Sequence, residues 1–427
     1  MALTVILLFC GGLILCLALG QSVLYALAFG FLLFCLYGRR KGIPWRELFR
    51  LAGNGIWRVR NILISFVLIG MLTAVWRAGG TIPAVITYAS ALISPKVFLL
   101  MTFLLNSLVS VLTGSAFGTA ATIGVICSAM AAPLGIPLWL VGGAVLSGVF
   151  VGDRCSPVST SALLVAELTG TNLFENIRRM LRSALVPFLA ACAAYAAAGF
   201  LLPGNGPAAD IRGLFTGEFR ISPLALIPAG VIVLLSLLKV DVKWTLSAGV
   251  ISAVPLCLLL QKTEVSALLR MLWSGYRAAD PVLAGMLDGG GITSMLGTAG
   301  IVLISAAYSD ILRRTGLLDG TVGLVERLAS RTGRYPAMLL TSFVTAMIAC
   351  SQTLAVMLTN QLCAGLKDSK EAFALDMEDS VIIAAPLVPW CIAGSVPLTT
   401  VGAPLTGILA ACYLYFLILW RLLRSRK

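Results

Sequence analysis

Residues 147–161 read Ser147-Gly148-Val149-Phe150-Val151-Gly152-Asp153-Arg154-Cys155-Ser156-Pro157-Val158-Ser159-Thr160-Ser161. An acid, a base, a helix breaker and a run of hydroxyls sit here between long apolar runs. At membrane depth such groups are costly. They are kept where the backbone opens around a polar ligand, typically an ion or a transported solute.

The rest of the chain sets that depth. Of 427 residues, 59% are hydrophobic and only 11% charged, a balance no soluble fold needs. Apolar runs at 2–20, 22–38, 62–76, 97–112, 137–151, 183–202, 224–238, 244–260, 298–312 and 381–397 approach or reach the ~20 residues that cross a bilayer core. The expected class is an all-α polytopic membrane protein with about 10–13 spans, re-entrant pieces blurring the count. Run 2–20 has no basic leader and a second apolar run follows at once, so it reads as a span rather than a cleaved signal.

The net charge of +13 does not point to nucleic acid. The bases cluster in short loops: Arg39, Arg40, Lys41, Arg46, Arg50, Arg58 and Arg60; Arg178, Arg179 and Arg182; Arg421, Arg424, Arg426 and Lys427. That is the positive-inside pattern, which places these loops and both termini in the cytoplasm of a plasma-membrane protein. Histidine is absent, which removes His-based acid–base chemistry and His metal sites. The 11 cysteines are scattered through apolar runs without a CxxC pair and read as small buried hydrophobes, so no metal or other cofactor is expected.

Two halves can be laid over each other. Each opens with an amphipathic Trp-containing segment, Trp45 to Arg60 and Glu264 to Arg277. Each continues with a spanning run that ends at a break, Gly80-Thr81 and Thr315-Gly316. An interrupted run follows: Leu112-Thr113-Gly114-Ser115, and Ala349-Cys350-Ser351-Gln352. Last comes an acid before a Pro-broken stretch, Asp153 to Pro157, and Asp379 to Pro386 and Pro389. The loop before the first unit is basic. Charges cancel in 262–288 and in 204–220, so the two units are expected to run in opposite directions. The expected organisation is a leading hairpin at 1–38, a first unit at 39–180, linking helices at 181–262 and a second, inverted unit at 263–427. Inverted repeats with broken helices meeting at the midplane are a transporter signature.

The candidate residues follow from the breaks. Asp153 reads either as a carboxylate that binds a cation or a proton, or as half of an Asp–Arg pair at a helix end near the headgroups. Pro157 frees carbonyls, and Ser156, Ser159, Thr160 and Ser161 add hydroxyls, oxygen ligands of the kind hard cations take. Glu378 and Asp379 open an apolar stretch. They read equally as ligands and as acids that suit a helix N-terminus. Thr113 and Ser115 offer oxygens at the first break, although small residues there also permit close helix packing. Ser351, Gln352 and Asn360 hold the matching place in the second half. Gln352 and Asn360 lie two turns apart and are expected to face one cavity, or else to bond between helices. Arg154 is the candidate for receiving a substrate carboxylate. Arg77 reads as a snorkelling base and Asn106 as an interhelical hydrogen bond.

Taken in order, Trp76 to Gly80-Thr81-Ile82-Pro83, Thr113-Gly114 with Gly118-Thr119, Ser147-Gly148 with Gly152-Asp153-Arg154 and Ser156-Pro157, and Glu378-Asp379 with Pro386-Leu387 and Pro389-Trp390 resemble the NhaC family of sodium/proton antiporters. The resemblance covers residues from about 40 to 410, most of the chain. It implies a scaffold and a mobile transport domain with re-entrant hairpins. It also implies exchange of Na⁺ for H⁺, or in some members sodium- and proton-linked exchange of organic acids. A homodimer is implied by family analogy. One departure stands out: the family commonly shows Asp-Thr-Thr-Asn after Ser-Pro-x-Ser, and here Thr160, Ser161, Ala162 and Leu163 occupy those positions.

The expected function is therefore a secondary active transporter working by alternating access, with Na⁺ and H⁺ as the exchanged ions at Asp153 and Asp379. The alternative is sodium- or proton-coupled exchange of a small organic anion or amino acid. A membrane-embedded enzyme is the distant alternative, disfavoured by the lack of His, of a phosphate loop and of any soluble domain. Besides the solute, the bilayer is the partner expected.

Overall fold

The computed structural model describes residues 2–19, 21–89, 94–157, 159–202, 215, 217–238, 240–280, 283–284, 287–317 and 322–425. Helix dominates, and among the described residues there is no strand beyond an isolated antiparallel bridge between Tyr276 and Gly289. In chain order the helices are α1 (Ala2–Ala18), α2 (Val23–Arg40), α3 (Trp45–Arg58), α4 (Arg60–Ala78), α5 (Thr81–Ala89), α6 (Pro95–Thr113) and α7 (Ala116–Ala129). Next come α8 (Leu138–Cys155), α9 (Thr160–Thr169), α10 (Leu173–Leu201), α11 (Ile227–Leu237), α12 (Val242–Pro255) and α13 (Val265–Ser274). The last are α14 (Leu296–Thr315), α15 (Val322–Thr332), α16 (Arg334–Ala349), α17 (Gln352–Leu362), α18 (Lys370–Ala384), α19 (Ile392–Thr400) and α20 (Cys412–Ser425).

Among the described residues seven helices are long and apolar enough to cross a membrane, or eight if the bent pair Lys370–Leu387 and Ile392–Thr400 counts as one. Counting apolar runs gives more because two of them, 2–20 and 224–238, form helices shorter than a span, Thr4–Cys16 and Pro223–Leu235. The balanced loop 204–220 contributes Asp210 and Arg212, which lie outside the described residues.

The breaks have local causes, and the same device occurs once in each half. α6 ends on Gly114 in the left-handed region (φ 66°), whose N–H bonds Ser110 O. Ser115 then caps α7, its Oγ accepting from Gly118 N at 3.0 Å. In the second half α16 ends on Cys350, also left-handed (φ 53°), and Ser351 sits at the N-cap of α17. A non-glycine residue there is strained. It is held because its carbonyl accepts the Ile392 N–H, which starts α19, at 2.9 Å. Its Sγ also meets Tyr308 Oη at 2.9 Å.

The second pair of breaks is built on proline. α8 stops at Cys155, Ser156 is extended, and Ser159 caps α9 by accepting from Ser161 N and Ala162 N. α18 tightens into a 3₁₀ turn at Ala385–Leu387 and bends by 53° into α19. Trp390 fixes the bend, its indole N–H donating to Met347 O of α16 at 3.0 Å.

The tightest packing that positions the site joins α8 to α6. Gly148 and Gly152, four residues apart, turn one face of α8 toward the α6 backbone. A Cβ at Gly152 would fall 2.0 Å from Ser110 C, and one at Gly148 would fall 2.8 Å from Phe103 O. Without Cβ atoms the helices approach closely, the arrangement that gives transmembrane packing its dispersion energy. Gly152→Val is expected to destabilise by ~3 kcal/mol or more, because backbone cannot yield as a side chain can. The measurement is monodisperse yield and the thermal midpoint in detergent. Gly53→Val is the control, since nothing lies within 4 Å of a Cβ there, and it is expected to behave as wild type.

Candidate functional site

The helix breaks converge on one cavity of about 490 Å³. The first-half break supplies Thr113, Ser115 and Phe117, and the second-half break supplies Ser351, Gln352 and Thr353. Asp153 from the end of α8, Thr160 and Ser161 from the start of α9, and Ile392 from the start of α19 complete its inner wall. The N-terminal ends of α7, α9, α17 and α19 therefore all face the same space, and each brings the positive end of its dipole. Such ends compensate a resident carboxylate.

Asp153 is that carboxylate. It is 6% exposed. Its Oδ2 accepts from Ser161 Oγ at 2.9 Å and from Gln352 Nε2 at 3.0 Å, and the Ala116 backbone N–H also donates to the carboxylate. One acid from the first half is thus held by the break of the second half. Ser159 Oγ donates to the Asp153 carbonyl, which ties the cap of α9 to the acid's own backbone.

Asp153 does not pair with its neighbour Arg154, so the reading of that dipeptide as an Asp–Arg pair does not hold. Arg154 is wholly buried and points the other way. Its Nη2 pairs with Asp379 Oδ1 and donates to Ser183 Oγ at 2.7 Å, and its Nη1 donates to Tyr413 Oη and Met180 O, each at 3.4 Å. The expectation that Arg154 receives a substrate anion is corrected: its guanidinium does not line the cavity and is engaged by α10, α18 and α20.

Asp379 is likewise off the cavity lining, contrary to the expected meeting of Asp153 and Asp379 in one chamber. Its Oδ2 lies 2.8 Å from Arg421 Nε. Arg421 also pairs with Asp376, Asp376 with Arg334 (2.7 Å), and Arg334 with Asp368 (2.8 Å). The result is an alternating ladder, Arg154–Asp379–Arg421–Asp376–Arg334–Asp368, whose side chains run from 0% exposed at Arg154 to 85% at Asp368. Every buried charge in it has an opposite neighbour, as burial requires.

The remaining candidates divide. Thr113, Ser115, Thr160, Ser351 and Gln352 line the cavity. Thr113 Oγ1 is 3.1 Å from Thr119 Oγ1. Ser156 and Ser159 are buried beside the α8–α9 break without lining it. Asn360 does not share the cavity with Gln352. The lining covers only the start of α17, through Met357, and Asn360 lies one turn further. Glu378 is fully buried and also off the lining. Asn106 donates to Thr102 O of its own helix at 2.8 Å, with only a 3.8 Å contact to Cys127 Sγ beyond it. Arg77 donates to Thr73 O at 3.1 Å and lines a second cavity of about 530 Å³ with Asp288 and Thr399.

The sequence reading missed the outer wall. Ser305, Ser309, Asp310 and Arg313 of α14 and Arg58 of α3 line the cavity mouth. Asp310 is buried and paired with the half-exposed Arg58 (2.8 Å) and Arg313 (3.3 Å). The signal was there in an acid within a spanning run, Ser309-Asp310-Ile311. Helices α3 and α14 meet because Gly55 lets the Ala306 carbonyl come within 2.0 Å of where a Cβ would lie.

Comparison with known proteins gives the family. The sequence model of the Na⁺/H⁺ antiporter family matches residues 1–167 and 148–422. The chain is 27% identical over 369 residues to the malate-2H⁺/Na⁺-lactate antiporter of Bacillus subtilis, covering 83% of this chain and 78% of that one. It is 26% identical over 401 residues to the Na⁺/H⁺ antiporter NhaC of Alkalihalophilus pseudofirmus, covering 90% and 86%. It is 26% identical over 383 residues to the arginine/ornithine antiporter ArcD of Halobacterium salinarum, covering 86% and 79%. Half-helices that meet at a buried carboxylate, in a polytopic chain matched over nearly its whole length, place this protein in the Na⁺/H⁺ antiporter family, as a membrane transporter and not an enzyme.

Proposed function

We propose that the protein exchanges Na⁺ for H⁺ across the plasma membrane by alternating access, with Asp153 as the group both ions occupy in turn. One observation carries this reading. Asp153 and Asp310 are the acids lining the cavity among the described residues, and only Asp153 has no cationic partner. An unpaired carboxylate in a closed site is costly when ionised and empty. The carrier therefore changes face only when Asp153 holds a cation or a proton, and that condition couples the two fluxes. Oxygens of Ser161, Thr160, Ser115 and Gln352 are available to replace the ion's water. The basic loops put the Arg58–Arg313 mouth and both termini on the cytoplasmic side. Residues 39–180 and 263–427 act as the two inverted units, and the protein works as a homodimer, with no cofactor beyond the exchanged ions.

The volume favours a second reading, coupled exchange of a small carboxylate or amino acid. About 490 Å³ far exceeds one dehydrated ion, given ~30 Å³ for a water in the liquid. Four helix N-termini with Arg58 and Arg313 would suit a carboxylate. The test is Na⁺, Li⁺ and K⁺ addition to everted vesicles holding a pH gradient, beside uptake of labelled malate, lactate and arginine into proteoliposomes. Collapse of the gradient by Na⁺ is expected. No collapse with any cation, together with entry of a labelled solute, would overturn the Na⁺/H⁺ reading.

Gln352 orients the acid from the second half. Gln352→Leu is expected to raise the half-saturating Na⁺ concentration by ~10–100-fold, the usual cost of losing a partner behind a ligand. Titrating Na⁺ in the same vesicle assay checks it, and the maximal rate should change less than the half-saturation point.

A further inference from the structure

We propose that α3 is a docking helix for anionic phospholipid headgroups of the cytoplasmic leaflet, held at Arg46 and Arg50, and that the bound lipid braces the wall of the cavity mouth whatever solute is exchanged. α3 is 14 residues long, about 21 Å, too short to cross a bilayer core. Arg46, Glu47, Arg50, Asn54 and Arg58 leave it no continuous apolar run. It is therefore an interfacial helix, and its sides divide cleanly. Leu48, Ala52 and Gly55 are buried, Gly55 against the Ala306 backbone of α14. Trp45, Phe49 and Ile56 form an exposed apolar ridge beside that face. With about 100° between successive residues, the exposed Arg46 and Arg50 fall roughly a quarter-turn further round, next to Trp57, which is 67% exposed. The last side turns back to α14, where Glu47 pairs with Arg314 at 3.4 Å and Arg58 with Asp310 at 2.8 Å.

An apolar ridge beside a basic one is how a helix lies in the headgroup layer, with its aromatics at the acyl boundary and its bases at the phosphates. Arg60 packs over the Trp57 ring at 4.4 Å, and its Nη1 donates to Trp57 O at 3.2 Å, so an aromatic and a base are fixed together at that level. Arg46 and Arg50 are four residues apart, and their like charges repel. Among the described residues neither has an acidic partner, and Glu47, the acid of α3, is taken by Arg314. An anion lying between the two guanidiniums removes the repulsion. The leaflet supplies it, because anionic lipids face the cytoplasm and the basic loops put α3 on that side.

α13 gives the comparison within the molecule. It has a similar exposed ridge, Val265, Leu269 and Trp273, but a single base, Arg270. It belongs to the segment 262–288, whose charges cancel. The paired bases thus occur on the interfacial helix that faces the anionic leaflet. Gly55, Arg58 and Val59 line the cavity, so a headgroup held about two turns before Arg58 on the same helix fixes the position of that wall.

Melting of the purified full-length protein in detergent tests this, with phosphatidylglycerol or phosphatidylcholine added at equal mole fraction. Phosphatidylglycerol is expected to raise the midpoint by ~5 °C over phosphatidylcholine, as a ligand in large excess over its dissociation constant does. Arg46→Gln/Arg50→Gln is expected to melt as wild type in phosphatidylcholine and to lose the rise. Arg46→Lys/Arg50→Lys is expected to keep most of it, since the charge remains. Arg178→Gln/Arg182→Gln removes exposed bases of the same spacing from α10 and is expected to keep it whole. The inference is overturned if phosphatidylglycerol gives wild type no rise, if the Gln pair on α3 keeps it, or if the Lys pair loses it as fully as the Gln pair. Equal loss in the α10 variant also overturns it, because net charge alone would then bind the lipid. So does an equal rise with millimolar inorganic phosphate, which would make this a free-anion site. A midpoint that follows protein concentration instead of lipid would make the ridge a contact between copies of the chain, and overturns it as well.

Discussion

Asp153→Asn is expected to abolish Na⁺-driven proton movement, to below about 1% of wild type, while the protein remains folded. Loss of a partner behind a ligand already costs ~10–100-fold, and here the ligand itself goes. Nothing else in the cavity can substitute, because Asp310 is committed to Arg58 and Arg313. The carboxamide keeps the size of the side chain and an oxygen for Ser161 Oγ, which donates to Asp153 in wild type. It also removes a buried group that has no counter-charge, so the thermal midpoint in detergent should equal or exceed that of wild type. Everted vesicles read the activity, and melting of the purified protein reads the fold. Residual activity above a tenth of wild type would move the exchange site elsewhere.

Asp379→Asn is expected to fail for the opposite reason. It leaves Arg154, a fully buried guanidinium, without its carboxylate. Breaking a buried pair by removing one partner costs ~3–5 kcal/mol. Arg154→Met strands Asp379 in the same way, though Arg421 still reaches its Oδ2 at 2.8 Å. Each single variant should show a lowered melting midpoint and poor recovery. The double variant Arg154→Met/Asp379→Leu should recover much of the loss, because replacing a buried pair by apolar groups is often close to neutral. A double-mutant cycle in detergent melts gives the coupling. Additive losses would mean that the pair is not the interaction the geometry shows. The two acids are thus expected to be separable: Asp153→Asn folded and inactive, Asp379→Asn impaired through lost stability.

That separation marks where sequence reading stopped. The places where helices break were legible, because Gly114, Pro157, Pro386 and Ser115 act on the chain within a turn of themselves. Asp153 was legible as a group with a cost at membrane depth. Which charge meets which was not. Asp153 and Arg154 are adjacent in sequence, yet successive side chains on a helix diverge by about 100°. One therefore faces the cavity while the other faces Asp379, 225 residues away. The Ser and Asp–Arg wall from α3 and α14 escaped notice because Ser305, Ser309 and Asp310 lie on an otherwise apolar span and meet Arg58 only once Gly55 brings the two helices together. The departure at Thr160 and Leu163 was visible, and the structure puts Thr160 on the cavity wall and Leu163 away from it. Where the family commonly carries an acid and an amide after its Ser-Pro-x-Ser block, this cavity is left with Asp153 as its one lining acid without a cationic side-chain partner among the described residues.

Cation binding at Asp153 in competition with protons is the central claim, and Na⁺-dependent stabilisation of the purified protein tests it most directly. A ligand that binds only the folded state raises the melting midpoint according to its affinity. Titrations of Na⁺ at a series of pH values give an apparent dissociation constant at each. It is expected to rise at least tenfold for each unit the pH falls below the range where the site ionises, because a proton on the carboxylate excludes the cation. No Na⁺ shift at all is expected for Asp153→Asn. A Na⁺ affinity that does not change with pH, or one that survives in Asp153→Asn, would contradict it.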